Sequence, residues 1–251
     1  MRYINTLSII ALAALLAVGC NTTKRNDQGN PLPRFEEFCF EETGQSYEVK
    51  INYQRITNTD KGEALALIDA TNFRRTFSDV VYDQPELLDA DAAARAIVEE
   101  MKEEISLIEG SANYISQIDQ AVMLVRNERV LCVETAYYNY MGGVHGIEGI
   151  IYDCYDIATG QAYDFGYLVD GQWGSAMRAK IFEKLNAQYG DVLIDVSKDN
   201  IHIPESVLIN DTGITIIYQP YEVAPYSEGH LSVEFTDEEL QSIGVPLLWC
   251  E

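Results

Sequence analysis

A run of β-branched and aromatic residues, VLCVETAYYNY, breaks off at Gly142-Gly143 and resumes as GIIYDCYDI, with Cys132 and Cys154 eleven positions to either side of Gly143. Strand-forming runs that flank a glycine pair specify an antiparallel hairpin. Folding back at the glycines sets Cys132 opposite Cys154, and directly opposed strand positions lie within disulfide reach. Cys39 and Cys250, near the two ends of the folded part, are then left for a second bridge, although four cysteines admit three connectivities. By loop-entropy reasoning the first bridge is worth about 3 kcal/mol and the second somewhat more. Zinc is the rival use of such thiols. No CxxC spacing occurs, and neither a metal nor a cofactor is expected.

Other stretches fill in the class. FCFEETGQSYEVKINYQRI predicts two strands around a Thr-Gly turn. GEALALIDATNFRRTF predicts a helix, with Leu65, Ile68, Phe73 and Phe77 at roughly helical spacing. AAARAIVEEMKEEISLI predicts another, capped by Asp89 or Asp91, with Ile97, Met101, Ile105 and Ile108 along its apolar face. After Gly110 the texture turns to strands, with Asn127-Glu128 as a turn before the hairpin. AMRAKIFEKLNAQYG predicts a helix closed by Gly190. VLINDTGITIIYQPYEV and HLSVEF read as late strands, and TDEELQSI as a short capped helix. Strands in runs, with helices between the runs, imply an α+β fold, mainly antiparallel sheet with flanking helices. The texture change places a small N-terminal α+β domain at residues 35–110 and a larger C-terminal domain at 111–251.

The start of the chain carries a different message. Arg2, the apolar run Leu7 to Leu16 and the small residues before Cys20 form a secretory signal, too short to span a bilayer. Ala17-Val18-Gly19-Cys20 is similar to the lipobox of bacterial lipoproteins. That resemblance implies removal of residues 1–19 and lipidation of Cys20, the acyl chains serving as a membrane anchor. Asn21 is not the aspartate often linked to inner-membrane retention, so an outer-membrane destination is expected. Residues 20–34, polar and with two prolines, read as a flexible tether. The formal net charge is −23. Such a chain repels polyanions, which argues against nucleic acid, and attracts basic partners.

Tyr137 to Gly146, containing Gly142-Gly143-Val144-His145-Gly146, resembles the Gly-Gly-Ala-His-Gly motif of the extracytoplasmic domain family of the lysozyme-sensing anti-sigma factor RsiV. Asp156-Ile157-Ala158-Thr159-Gly160 matches that family's Asp-x-x-Thr-Gly turn, and Tyr218 to Ser227 with Gly229 its second block. The resemblance spans about residues 110 to 245 and implies a two-part, RsiV-like extracytoplasmic region. Val144 replaces the usual alanine. No sigma-binding segment or transmembrane helix is seen before Cys20, so an anti-sigma factor acting alone is not expected.

Taken by themselves, the glycines permit positive φ and close backbone approach. Pro220 and Pro225 stiffen a strand exit and bring Tyr221 and Tyr226 together. Rigid tyrosines present large contact area at low entropy cost. The candidate ligand-binding residues are Tyr138, Tyr140, Gly142, Gly143, His145, Gly146, Tyr218, Tyr221, Glu222, Pro225 and Tyr226. The expected function is a lipid-anchored binding module of the cell envelope, its partner a basic protein such as lysozyme or a cell-wall glycan. A hydrolase using His145 with Glu222 is the alternative, although no nucleophile or metal spacing accompanies them. A purely structural envelope protein is the third reading.

Overall fold

The computed structural model describes residues 24–83, 87, 89–107, 113–169, 173–204 and 206–250. The signal sequence, Cys20, Ile108 and Gly110 lie outside the described residues. Among the described residues eight strands form two mostly antiparallel sheets with six helices, the expected α+β class. The larger sheet has the order β1 (Phe35–Thr43), β2 (Tyr47–Ile56), β3 (Tyr114–Val125), β4 (Val130–Tyr140) and β5 (Ile147–Asp156). The smaller sheet is β6 (Val207–Ile209), β7 (Gly213–Tyr218) and β8 (Leu231–Thr236).

β1 and β2 form a hairpin, and β2 then pairs in parallel with β3. A parallel neighbour needs a crossover. It is supplied by α1 (Glu63–Thr76), α2 (Ser78–Asp83) and α3 (Ala90–Leu107). The large sheet therefore runs continuously across the boundary expected near residue 110. Apolar spacing in α1 works as read, since Leu65, Ile68 and Phe73 are buried and Phe77 follows them inward. In α3 the buried side is Ala93, Ala94 and Val98. Ile97 and Met101 only flank it, because the small residues allow the helix to sit close to the sheet. Asp89 accepts a hydrogen bond from the Ala92 N–H, 3.0 Å, as the cap.

The first four residues of β4, Val130 to Val133, are buried on both faces, which removes the polar alternation of a half-exposed strand there. Leu131 and Val133 join Leu65 and Ile68 on the α1 side. Val130 and Cys132 face the opposite way, into the core shared with the small sheet and α5 (Gly174–Tyr189). From α5 that core receives Met177, Ile181 and Leu185. A buried amide ties crossover to sheet: Gln120 Nε2 of β3 donates to Asn72 Oδ1 (3.1 Å) and Thr76 Oγ1 (2.7 Å) of α1. Two short helices complete the chain's second half, α4 (Gly166–Val169) and α6 (Asp237–Ser242). Thr236 and Glu239 close α6 with a reciprocal capping box. No helix of the described residues is long and apolar enough to cross a membrane.

Two expectations differ from the structure. Residues 24–34 are packed, not free. Asn26 accepts from the backbone N–H groups of Gln28 and Asn30 and donates to the Glu128 carbonyl, while Asp27 pairs with Arg129 at 2.7 Å. Leu32 joins Ile56, Leu65 and Ile68 in a buried apolar cluster, which anchors the segment. All four cysteines among the described residues are free thiols, and Cys39 and Cys250 are not placed to be bridged. Cys39 sits on edge strand β1, level with Asp119 of β3 through Asn52. Cys250 lies 3.8 Å from Asp237, which holds Arg126 just past the end of β3. Seven strand residues between those levels amount to about 23 Å, far beyond disulfide reach.

Candidate functional site

β4 and β5 pair with Asn139 opposite Ile147 and Cys132 opposite Cys154, so the chain folds back over residues 141–146. Gly142 and Gly143 take φ of 90° and 110°, values that an L side chain rarely adopts. The Tyr140 hydroxyl donates to the Gly143 carbonyl at 3.0 Å and steadies the loop. Gly146 serves a different purpose: a Cβ there would meet the Tyr138 ring at 2.5 Å. Removing that atom lets Tyr138 lie flat against the loop base. Met141, Val144 and Ile147 point outward, Val144 completely exposed.

The second half of the site is a turn from Gln219 to Glu222, closed by the Glu222 N–H donating to the Gln219 carbonyl at 3.1 Å. Pro220 occupies its second position and Tyr221 its third. A type II turn demands positive φ at the third position and normally uses glycine or asparagine there. Tyr221 has φ 74° and is 65 % exposed. A bulky side chain held in this region carries about 1–3 kcal/mol of strain. The turn is also pinned to the large sheet. Gln219 Nε2 donates to the Ile150 carbonyl (2.8 Å) and its Oε1 accepts from the Ile150 N–H (2.9 Å). One side-chain amide thereby imitates a neighbouring strand on the outer edge of β5.

Loop and turn meet at three rings. Tyr221 Oη lies 3.0 Å from His145 Nε2, and the His145 ring stacks on Tyr226 with centroids 4.3 Å apart. Tyr221 and Tyr226 are themselves 5.5 Å apart. His145 Nδ1 is 2.8 Å from the Gly146 carbonyl, which can only accept, so Nδ1 carries the hydrogen. In the neutral ring Nε2 is then the acceptor for the Tyr221 hydroxyl. Both ring nitrogens are occupied. Tyr226 has its hydroxyl pushed above the usual phenol range by burial and by the nearby Glu148. Pro225 is half-buried and precedes the single helical turn that presents Tyr226.

Two candidates belong elsewhere. Tyr218 is fully buried, its hydroxyl donating to the His202 carbonyl at 2.8 Å, so it is a core residue. All six residues of β7 are buried, and a tyrosine there has no route to the surface. Glu222 does not orient His145. Its Oε1 lies 3.2 Å from His202 Nε2, and its Oε2 accepts from the Gln219 N–H at 2.6 Å. It holds the turn from below, and the acid–base pair suggested by sequence is absent.

His202 and Gln219 were not singled out by sequence. His202 sits in no motif, Gln219 lies within the Tyr218 to Ser227 block without being a candidate there, and both act through contacts between distant segments. His230 is a third missed residue. Among the described residues its buried Nε2 has no hydrogen-bond partner, and burial lowers its pKa despite Glu148, Glu134 and Glu222 nearby. Among the described residues no group of three His, Cys, Asp or Glu side chains could hold a metal ion.

A sequence profile of a family described as protein of unknown function (DUF3298) matches residues 172–238, from the start of α5 through the Tyr221 turn and β8 into α6. No curated protein matches the chain in sequence. The fold is shared with the crystal structure of a DUF3298-family member from Bacteroides fragilis NCTC 9343. That protein is 16 % identical, with a TM-score of 0.62 over 83 % of this chain and 92 % of the other. A DUF3298-family protein of Pseudomonas aeruginosa PAO1 is 19 % identical, with a TM-score of 0.55 over 84 % and 94 %. Residues 172–238 of this chain are thus similar to the DUF3298 family, within an architecture that those two proteins share along most of their length.

Proposed function

We propose that the chain is a binding module of the bacterial cell envelope, tethered through lipid on Cys20, and that the His145–Tyr221–Tyr226 cluster is its contact face. The observation that carries this reading is Tyr221, which is held at φ 74° while largely exposed. Strain kept at a solvent-facing aromatic residue does not serve the core, and such strain concentrates at ligand contacts. Glycine at the same position would relieve it. The outward Met141, Val144 and Ile147 enlarge the same face.

Charge favours a basic protein as the partner, since a net −23 draws cations in. Lysozyme is the basic protein that the RsiV-like resemblance suggests. A cell-wall glycan is the second reading, favoured by the exposed Tyr221 ring, because sugars stack on aromatic faces. The lipobox-like Cys20 and the residue after it support attachment at the outer membrane. Catalysis is not favoured: His145 is committed on both nitrogens, and Glu222 is engaged with His202.

The test is capture of the protein on immobilised lysozyme and on purified peptidoglycan, at low and high salt. Binding that falls steeply with salt marks the protein partner, and salt-insensitive binding marks the glycan. His145→Ala with Tyr226→Ala should weaken capture about tenfold or more, the loss expected from removing a central aromatic anchor. Capture on neither matrix, or undiminished capture by the double variant, refutes the proposal.

A further inference from the structure

Cys132 and Cys154 are paired in register, both are buried, and their sulfurs stand 2.9 Å apart as free thiols. The kind of strand pair decides what they can do. The Cys154 carbonyl accepts from the Tyr163 N–H. The N–H groups of Ile150 and Tyr152 donate to Gln219 and Ser206, away from β4. Even-numbered residues of β5 therefore turn their backbone groups outward, and 132–154 is a non-hydrogen-bonded pair. Such pairs hold their Cα atoms about 4.5 Å apart with side chains closest, inside the span that disulfides use.

We propose that Cys132 and Cys154 form an intramolecular cross-strand disulfide. The surroundings accept it. Ile209 N–H donates to Cys154 Sγ and the Cys132 thiol to the Ile209 carbonyl, each at 3.3 Å, so the sulfurs close the free edge of β6. A bonded pair keeps the acceptor for that N–H and gives up only weak S–H donors. Burial holds the Cys132 thiol well above the usual thiol range, so it is a poor nucleophile once the core has closed. The bond therefore forms before β6 covers the pair.

The chemistry is thiol–disulfide exchange with an oxidised dithiol protein or glutathione disulfide. The thiolate of one cysteine attacks the donor's S–S bond and expels one donor sulfur as thiolate. The second cysteine's thiolate then attacks the mixed disulfide and releases the other donor sulfur. One S–S bond forms, one breaks, two electrons pass to the donor, and the donor thiolates take up the two protons. The pairing rests on strand register alone; only the supply of oxidant rests on the envelope reading.

The test uses the full chain carrying Cys39→Ser and Cys250→Ser. It is recovered from bacterial envelopes and, separately, reduced, unfolded and refolded with mixed reduced and oxidised glutathione. Both samples are alkylated in denaturant without reductant and mapped by peptide mass spectrometry. A linked 132–154 peptide in both samples, and a lower denaturation midpoint after reduction, are the expected results. Alkylation of both cysteines in the refolded protein overturns the proposal. Linkage on refolding with alkylation in the envelope sample upholds the pairing and counts against the envelope reading.

Discussion

Tyr221 lets strain be separated from use. Tyr221→Gly removes the positive-φ penalty at a cost in chain entropy, so the variant should gain up to about 1 kcal/mol in stability. The urea midpoint should rise while capture of the ligand is lost; a midpoint that falls would mean the ring supports the fold. His230 gives a pH test. Its folded pKa lies below the ordinary histidine value of 6.5, so the unfolded chain binds the proton first. Stability should therefore decline as pH falls below about 6.5 and level off once the folded pKa is passed. His230→Gln should flatten that decline in denaturation curves taken between neutral and mildly acid pH. At this scale the sequence revealed the rings that meet, because glycine and proline mark their turns. It could not reveal that Tyr218 is core, since a tyrosine in a strand looks the same from either face. Nor could it show that Glu222 chooses His202 over His145.

Among elements, α6 and the turn after β5 carry the sharpest expectations. Thr236→Ala deletes the acceptor for the Glu239 N–H and should cost about 1 kcal/mol in the chemical denaturation midpoint. Gly160 has φ 76°, and a Cβ there would lie 2.5 Å from the Ala64 carbonyl oxygen of α1. Gly160→Ala should cost more, about 2–3 kcal/mol by the same measurement, because neither backbone can yield freely. Capping of α6 was legible in Thr-Asp-Glu-Glu, since a cap depends on neighbours in sequence. The inward side of α3 was not, because Ala93 and Ala94 face the sheet through their smallness, and hydropathy gives small residues little weight.

For the whole molecule the decisive contact is the parallel pairing of β2 with β3, which joins the two parts that sequence texture separated. Leu131 and Val133 of β4 share a cluster with Ile56, Leu65 and Ile68 from the first part. Far-UV circular dichroism and tyrosine fluorescence should accordingly report one coincident unfolding transition. Two separate transitions would restore the boundary near residue 110. Pairing across the length of a crossover leaves no local trace, which explains why α+β was legible and the sheet order was not. Gln219 links this scale to the smallest one, since the residue that begins the Tyr221 turn also clasps both backbone groups of Ile150. A guest that displaces the turn must loosen that clasp. The amide proton of Ile150 thus becomes a built-in gauge of occupancy, its exchange with solvent quickening or slowing according to whether the visitor prises the turn away or presses it home.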